Sequence, residues 1–212
     1  MPQAAPAAST KPDAVASAST QAAALDIRQS FSFEGSDFGA QVLRLARTSL
    51  EHYVRAGLPL SLPADVPREL GQRQACFVTL REHGRLRGCV GTIEASRTCL
   101  AEEIVENAIG AGMRDPRFLP VEASQLEDLA YSVDVLSPLE PAADLSVMDP
   151  AKYGMVVRQG TRVGVLLPGI PEILNAQQQL EVCCQKAGIS SPQSVELFRF
   201  TVDRYAEPGA EH

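Results

Sequence analysis

The residues best placed to do chemistry sit in one short run, Leu86-Arg87-Gly88-Cys89-Val90-Gly91-Thr92. It follows a strand-like segment, Ala75 to Arg81, across a turn at Glu82-His83-Gly84-Arg85. Side chains two apart in a strand share a face, so Arg87, Cys89 and Gly91 are expected to point one way, a face that Leu86, Val90 and Thr92 do not join. A guanidinium beside a thiol favours the thiolate, which makes Cys89 a candidate nucleophile or redox thiol with Arg87 supplying the positive field. Thr79 on the neighbouring strand adds a hydroxyl. Gly88 and Gly91 weaken a strand and mark a close approach of backbone or ligand. The competing reading is a buried cysteine packed beside a salt-bridged arginine, since free cysteine is among the most buried residue types.

A general base is missing. His83 falls at the hairpin tip, a poor place for a Cys–His pair, so no papain-like mechanism is expected. The second candidate needs no covalent step: Arg87 and Arg117 hold a carboxylate or phosphate in a cleft. Against it stands a local pairing of Asp115 with Arg117 in a proline-containing turn. The five cysteines (Cys76, Cys89, Cys99, Cys183, Cys184) match no zinc spacing, and the three histidines are scattered. No phosphate loop or dinucleotide fingerprint occurs. No metal and no cofactor is therefore expected.

The chain has 212 residues, 45% of them hydrophobic, and a net charge of −7. That balance argues against a general nucleic-acid binder, although six arginines gather between Arg81 and Arg117. No apolar run is long enough for a membrane span, and the N-terminus lacks the apolar core of a secretory signal. The cysteines then read as reduced thiols of a cytoplasmic protein.

Residues 1–30 are rich in Ala, Ser and Pro and are expected to form a disordered tail ahead of one domain over 31–208. Phe38, Val42, Leu45, Ser49 and Tyr53 recur at helical spacing, with Ser36 as N-cap and Asp37 in the first turn. A second helix follows the hairpin, capped by Thr98, with Gly110 and Gly112 marking close packing or an early end. A short helix over Ala123–Leu129 and a strand through Tyr131, Val133 and Val135 come next. Leu139 to Met148 reads as a connector. A second hairpin turns at Gln159-Gly160, a third helix runs from Glu172 to Ala187, and Phe198, Phe200 and Val202 form one last strand. Tight turns between neighbouring strands imply mainly antiparallel sheets and the α+β class. No internal repeat is visible beyond two hairpins each followed by a helix.

The run from Leu86 to Thr92 resembles the signature of the AMMECR domain family, called protein A of the AmmeMemoRadiSam system in microbes. Asp115-Pro116-Arg117-Phe118-Leu119-Pro120, Val165-Leu166-Leu167-Pro168 and Lys186-Ala187-Gly188-Ile189 resemble its further signatures, in the family's order, and the third looks like the bacterial branch. The resemblance implies two closely packed lobes with the signature near the cleft between them. It implies a working surface of Arg87, Gly88, Cys89, Gly91, Asp115 and Arg117. It also implies an accessory role beside a Memo-like protein and a radical S-adenosylmethionine enzyme, toward a small molecule or a macromolecule. Two functions follow as expectations: an accessory enzyme using Cys89, or a non-catalytic adaptor presenting the patch to partners.

Overall fold

A computed structural model describes residues 31–33, 37–191 and 194–210. The expected tail and Ser36 lie outside these residues. Helix α1 spans Phe38–Ala56. Its cap is Asp37, which the sequence placed in the first turn: the Asp37 carboxylate accepts the Ala40 N–H at 3.0 Å, meeting one of the donors a helix start leaves unpaired. Gly57, at φ 72°, ends it. The buried stripe is Val42, Leu45, Ala46, Ser49 and Leu50.

Strands β1 (Cys76–Glu82) and β2 (Arg85–Gly91) form the first hairpin. His83 and Gly84 turn it, both with positive φ, as a two-residue type I′ loop requires. The register slips once, between Leu80↔Gly88 and Arg81↔Leu86. Arg87 is thus the extra residue of a bulge, and simple alternation does not set its direction. Helix α2 (Leu100–Met113) starts one residue later than expected, at an N-cap Cys99 that makes no side-chain cap. The Thr98 hydroxyl donates to Glu102 instead, at 2.6 Å. Gly110 and Gly112 are there for close packing: a Cβ on either would strike Val90 or Leu50. A 3-10 turn over Ala123–Asp128 leads into β3 (Leu129–Leu136).

The expected connector contains a two-residue strand, β4 (Glu140–Pro141). Then come β5 (Gly154–Gln159), β6 (Arg162–Leu166) and α3 (Ala176–Ala187). Helix α3 starts later than the sequence suggested, because Asn175 supplies the cap by accepting the Gln178 N–H at 2.9 Å. The expected last strand is two strands, β7 (Glu196–Phe200) and β8 (Val202–Ala206). The break at Thr201 lets the chain leave one sheet and enter the other.

All pairings are antiparallel, in two sheets ordered β2-β1-β3-β8 and β4-β7-β5-β6, so the fold is α+β. Helices α1 and α2 cover one face of the first sheet, and α3 covers the second. A third cluster, with Ala75, Leu136, Val156 and Phe200 at its centre, joins the lobes.

The two lobes repeat one unit, of which the sequence disclosed the hairpin followed by a helix but not the third strand. Each has a hairpin, a helix and a third strand beside the hairpin's first strand. In each, a glycine of the hairpin's second strand meets a helix carbonyl: Gly88 against Ala111, Gly164 against Cys183. One helical turn earlier, a buried amide donates to the start of the hairpin, Asn107 to Cys76 O at 3.0 Å and Gln179 to Tyr153 O at 2.9 Å. The fourth strands are exchanged. β4 follows β3 but joins the second sheet, and β8 follows β7 but joins the first.

Candidate functional site

Strand β2 is an edge of the first sheet. Edge strands leave main-chain groups unpaired, and at Cys89 the 115–117 turn fills that role. Asp115 accepts the Cys89 N–H at 2.9 Å, and Arg117 Nη2 donates to the Cys89 carbonyl at 3.4 Å. Arg117 also grips Asp115 through Nε at 2.9 Å and Nη2 at 2.6 Å, and the Arg117 N–H donates to the same carboxylate at 3.1 Å. The Asp115 side chain is 2% exposed and that of Arg117 54%. The Arg117 fork, with the two main-chain donors, holds the Asp115 carboxyl well below the usual carboxylate range. A carboxylate so committed braces the strand and is a poor proton acceptor. The local pairing of Asp115 with Arg117 is present, and it also reaches the signature strand at Cys89.

Cys89 and Thr79 face each other across the hairpin, and the Thr79 hydroxyl donates to the Cys89 sulfur at 3.2 Å. The surroundings of the sulfur run against the expectation of a depressed thiol. Burial pushes the Cys89 thiol up; the Thr79 hydroxyl and Arg117 oppose it, while Asp134 and Asp115 reinforce it. Arg87 is engaged elsewhere. Its guanidinium turns to Gln125, donating at 3.2 Å, with Glu82 at 4.0 Å. Gln125 in turn donates to Glu82 at 3.1 Å. The bulge explains the error: alternation put Arg87 on the Cys89 face, and the extra residue removes it.

Gly88 and Gly91 have no positive φ among the described residues. A side chain on Gly88 would strike the α2 main chain at Ala111, and one on Gly91 the Phe77 ring. The close approach read from these glycines is therefore by the protein itself. Beside Arg87 lies an open groove of about 520 Å³ that also takes in Arg117, Phe118, Leu119, Pro120, Glu122 and Gln125. Arg87 Nη1 is buried without a hydrogen-bond partner, and Leu119 is 84% exposed.

Sequence reasoning missed Gln125 and Glu82, which hold Arg87, and Glu103. The wholly buried Glu103 accepts the Thr92 hydroxyl at 2.6 Å and the N–H groups of Ser96 and Arg97 at 2.9 and 2.8 Å. It fixes the loop that follows β2. Its place in the first turn of α2 is a hint that a bare sequence offers. Among the described residues no cluster of three metal-ligating side chains occurs, and no helix is long and apolar enough to cross a membrane.

The sequence is similar to proteins of several microbes. A Thermotoga maritima protein is 46% identical over 159 residues, covering 74% of this chain and 91% of that one. A Methanothermobacter thermautotrophicus protein is 34% identical over 189 residues, covering 82% and 96%. A Clostridium acetobutylicum protein is 40% identical over 167 residues, and there the chain spans only 36% of the relative's length. The fold is similar to the crystal structure of uncharacterized protein PH0010 from Pyrococcus horikoshii. The TM-score is 0.74 at 29% identity, covering 80% of this chain and 91% of that one. Residues 43–205 match the AMMECR1 family, and with the signature strand, its brace and the two-lobed α+β fold in place, the chain belongs to that family.

Proposed function

We propose that this chain is a non-catalytic binding module whose groove beside Arg87 receives a partner protein. The observation that carries this reading is Leu119, an 84% exposed leucine on the turn that Asp115 and Arg117 pin to β2. Leu119 does not stand alone: Phe118 and Pro120 line the same groove, and contiguous apolar surface, unlike a lone exposed side chain, marks an interaction site. The groove's lining adds the Arg87 guanidinium, 11% exposed. An accessory enzyme acting through Cys89 is supported less well. The thiol is raised, Arg87 points elsewhere, and Asp115 is committed to main-chain donors.

The family resemblance supplies the partners to test, a Memo-like protein and a radical S-adenosylmethionine enzyme. Each is mixed with the chain, and co-elution is followed by size-exclusion chromatography. Leu119→Asp should fold as wild type and lose co-elution, and Arg87→Ala should weaken it. Absence of co-elution with either protein, or co-elution that Leu119→Asp leaves intact, would refute the proposal.

A further inference from the structure

The repeated unit provides an internal comparison at the chain segments that enter and leave each hairpin. In the second lobe these segments close on each other through the main chain, the Gly169 N–H donating to the Pro150 carbonyl at 2.9 Å. In the first lobe the matching segments pair as far as the Thr92 N–H and the Cys76 carbonyl, at 3.1 Å. Beyond that point a side chain spans them instead, Arg73 Nη2 donating to the Ala95 carbonyl at 2.8 Å. The first lobe therefore holds open a gap that the second lobe closes. A pocket of about 550 Å³ lies there, walled in part by Arg73, Gln74, Ile93, Glu94, Leu136 and Leu139. Small-molecule sites fall at about 300–1,000 Å³, often where two structural units meet.

One part of the wall is apolar. Ala75, Ile93, Leu136 and Leu139 belong to the cluster that joins the lobes, and Ile93 and Leu139 are only half-buried, so that cluster reaches solvent here. The polar part is not used up by the protein. Arg73 is exposed and gives one N–H to Ala95; among the described residues it makes no ion pair and no other side-chain hydrogen bond. The half-buried Gln74 has no side-chain partner among them either. Glu94 also lines the pocket and would repel an anion, but Arg158 of the second lobe neutralises it at 2.9 Å. One positive charge, Arg73, is left without a counter-charge beside an apolar wall. A guanidinium fork matches a carboxylate, and the wall suits an apolar body attached to it.

We propose that this junction pocket binds a small amphipathic carboxylate, its head on Arg73 and Gln74 and its apolar body against Ile93, Leu136 and Leu139. The site shares no lining residue with the Arg87 groove, and either can exist without the other. The test is an amide NMR titration of the full chain with hexanoate, with hexanol, which keeps the apolar body, and with acetate, which keeps the head. Hexanoate should give saturable shifts at Gln74, Ile93 and Leu139. Hexanol and acetate should each need about tenfold more, the equivalent of one charged hydrogen bond or of the apolar contact. Arg73→Gln, at an exposed position, should keep the fold, weaken hexanoate about tenfold and leave hexanol unchanged. Ala95→Leu, which adds bulk to the pocket wall, should weaken both. No saturable shift, equal saturation by hexanoate and hexanol, shifts confined to Phe118, Leu119 and Gln125, or either variant binding as wild type would overturn the proposal. So would loss of the fold in Arg73→Gln, because the guanidinium would then serve structure.

Discussion

Removing the Asp115 carboxylate should loosen the signature strand without touching its sequence. The carboxylate takes the Cys89 N–H, the Arg117 N–H and the Arg117 fork. The bond from Cys89 is charge-assisted and shielded, so about 1.5–3 kcal/mol is at stake there. The ion pair adds less, because the Arg117 side chain is 54% exposed and an exposed pair contributes about 0–1 kcal/mol. With the local Arg117 N–H bond included, Asp115→Ala should cost about 3 kcal/mol, or roughly 6–12 °C in melting temperature for a chain of this size. Arg117→Ala should cost only about 1 kcal/mol, because the carboxylate keeps its two main-chain donors.

Urea unfolding with an unchanged slope measures both variants. The pH dependence follows from the depressed Asp115 carboxyl. Its folded value lies below its unfolded value of about 3.9, so the stabilisation is complete above that value. It is lost as pH falls through the folded value, and the gap between wild type and Asp115→Asn should close only in strong acid. An Arg117→Ala loss equal to that of Asp115→Ala would refute the brace. So would a gap that stays constant down to the acid limit.

Cys89 should alkylate more slowly at neutral pH than a free thiol, since burial raises it; Arg87→Ala should leave that rate unchanged and Thr79→Val should slow it, and a rate change in Arg87→Ala would place the guanidinium near the sulfur after all. Glu103→Ala should cost about 3 kcal/mol or more in chemical denaturation, because the Thr92, Ser96 and Arg97 donors it serves lose a charged acceptor; a loss under about 1 kcal/mol would mean water replaces it. Gly88→Ala and Gly164→Ala should each destabilise by about 3 kcal/mol or more, since each Cβ strikes a helix main chain that cannot swing aside; a mild cost at either, read from the melting midpoint, would mean that helix can shift.

Periodicity carried much of the fold. Both hairpins, the apolar stripe of α1 and the terminating glycines Gly57 and Gly188 are local signals, and local signals survive in a bare sequence. What failed was set by partners far along the chain. The Arg87 bulge depends on register between two strands. The division at Thr201 depends on which sheet each neighbouring residue finds. Asp134 and Arg204 lie 70 residues apart and meet only because β8 crosses back. The candidate residues Thr79, Cys89, Asp115 and Arg117 do come together, yet the signs of their interactions were not legible. Burial and the direction of one side chain decided whether the thiol was raised or lowered.

The exchange of fourth strands has an energetic consequence for the first lobe. β8 completes the first sheet and supplies Arg204, but the chain reaches it only through β7 of the second sheet. The Asp134–Arg204 pair of the first lobe thus rests on a strand that the second lobe's β7 leads into. Buried charge without its partner is costly, so this pair couples the two lobes more tightly than their shared apolar cluster alone would. The second lobe, whose matching face is Val156, Val165, Phe198 and Phe200, carries no such liability. Its borrowed strand β4 is only two residues long, against five in β8. The longer loan goes to the lobe that has a charge to neutralise.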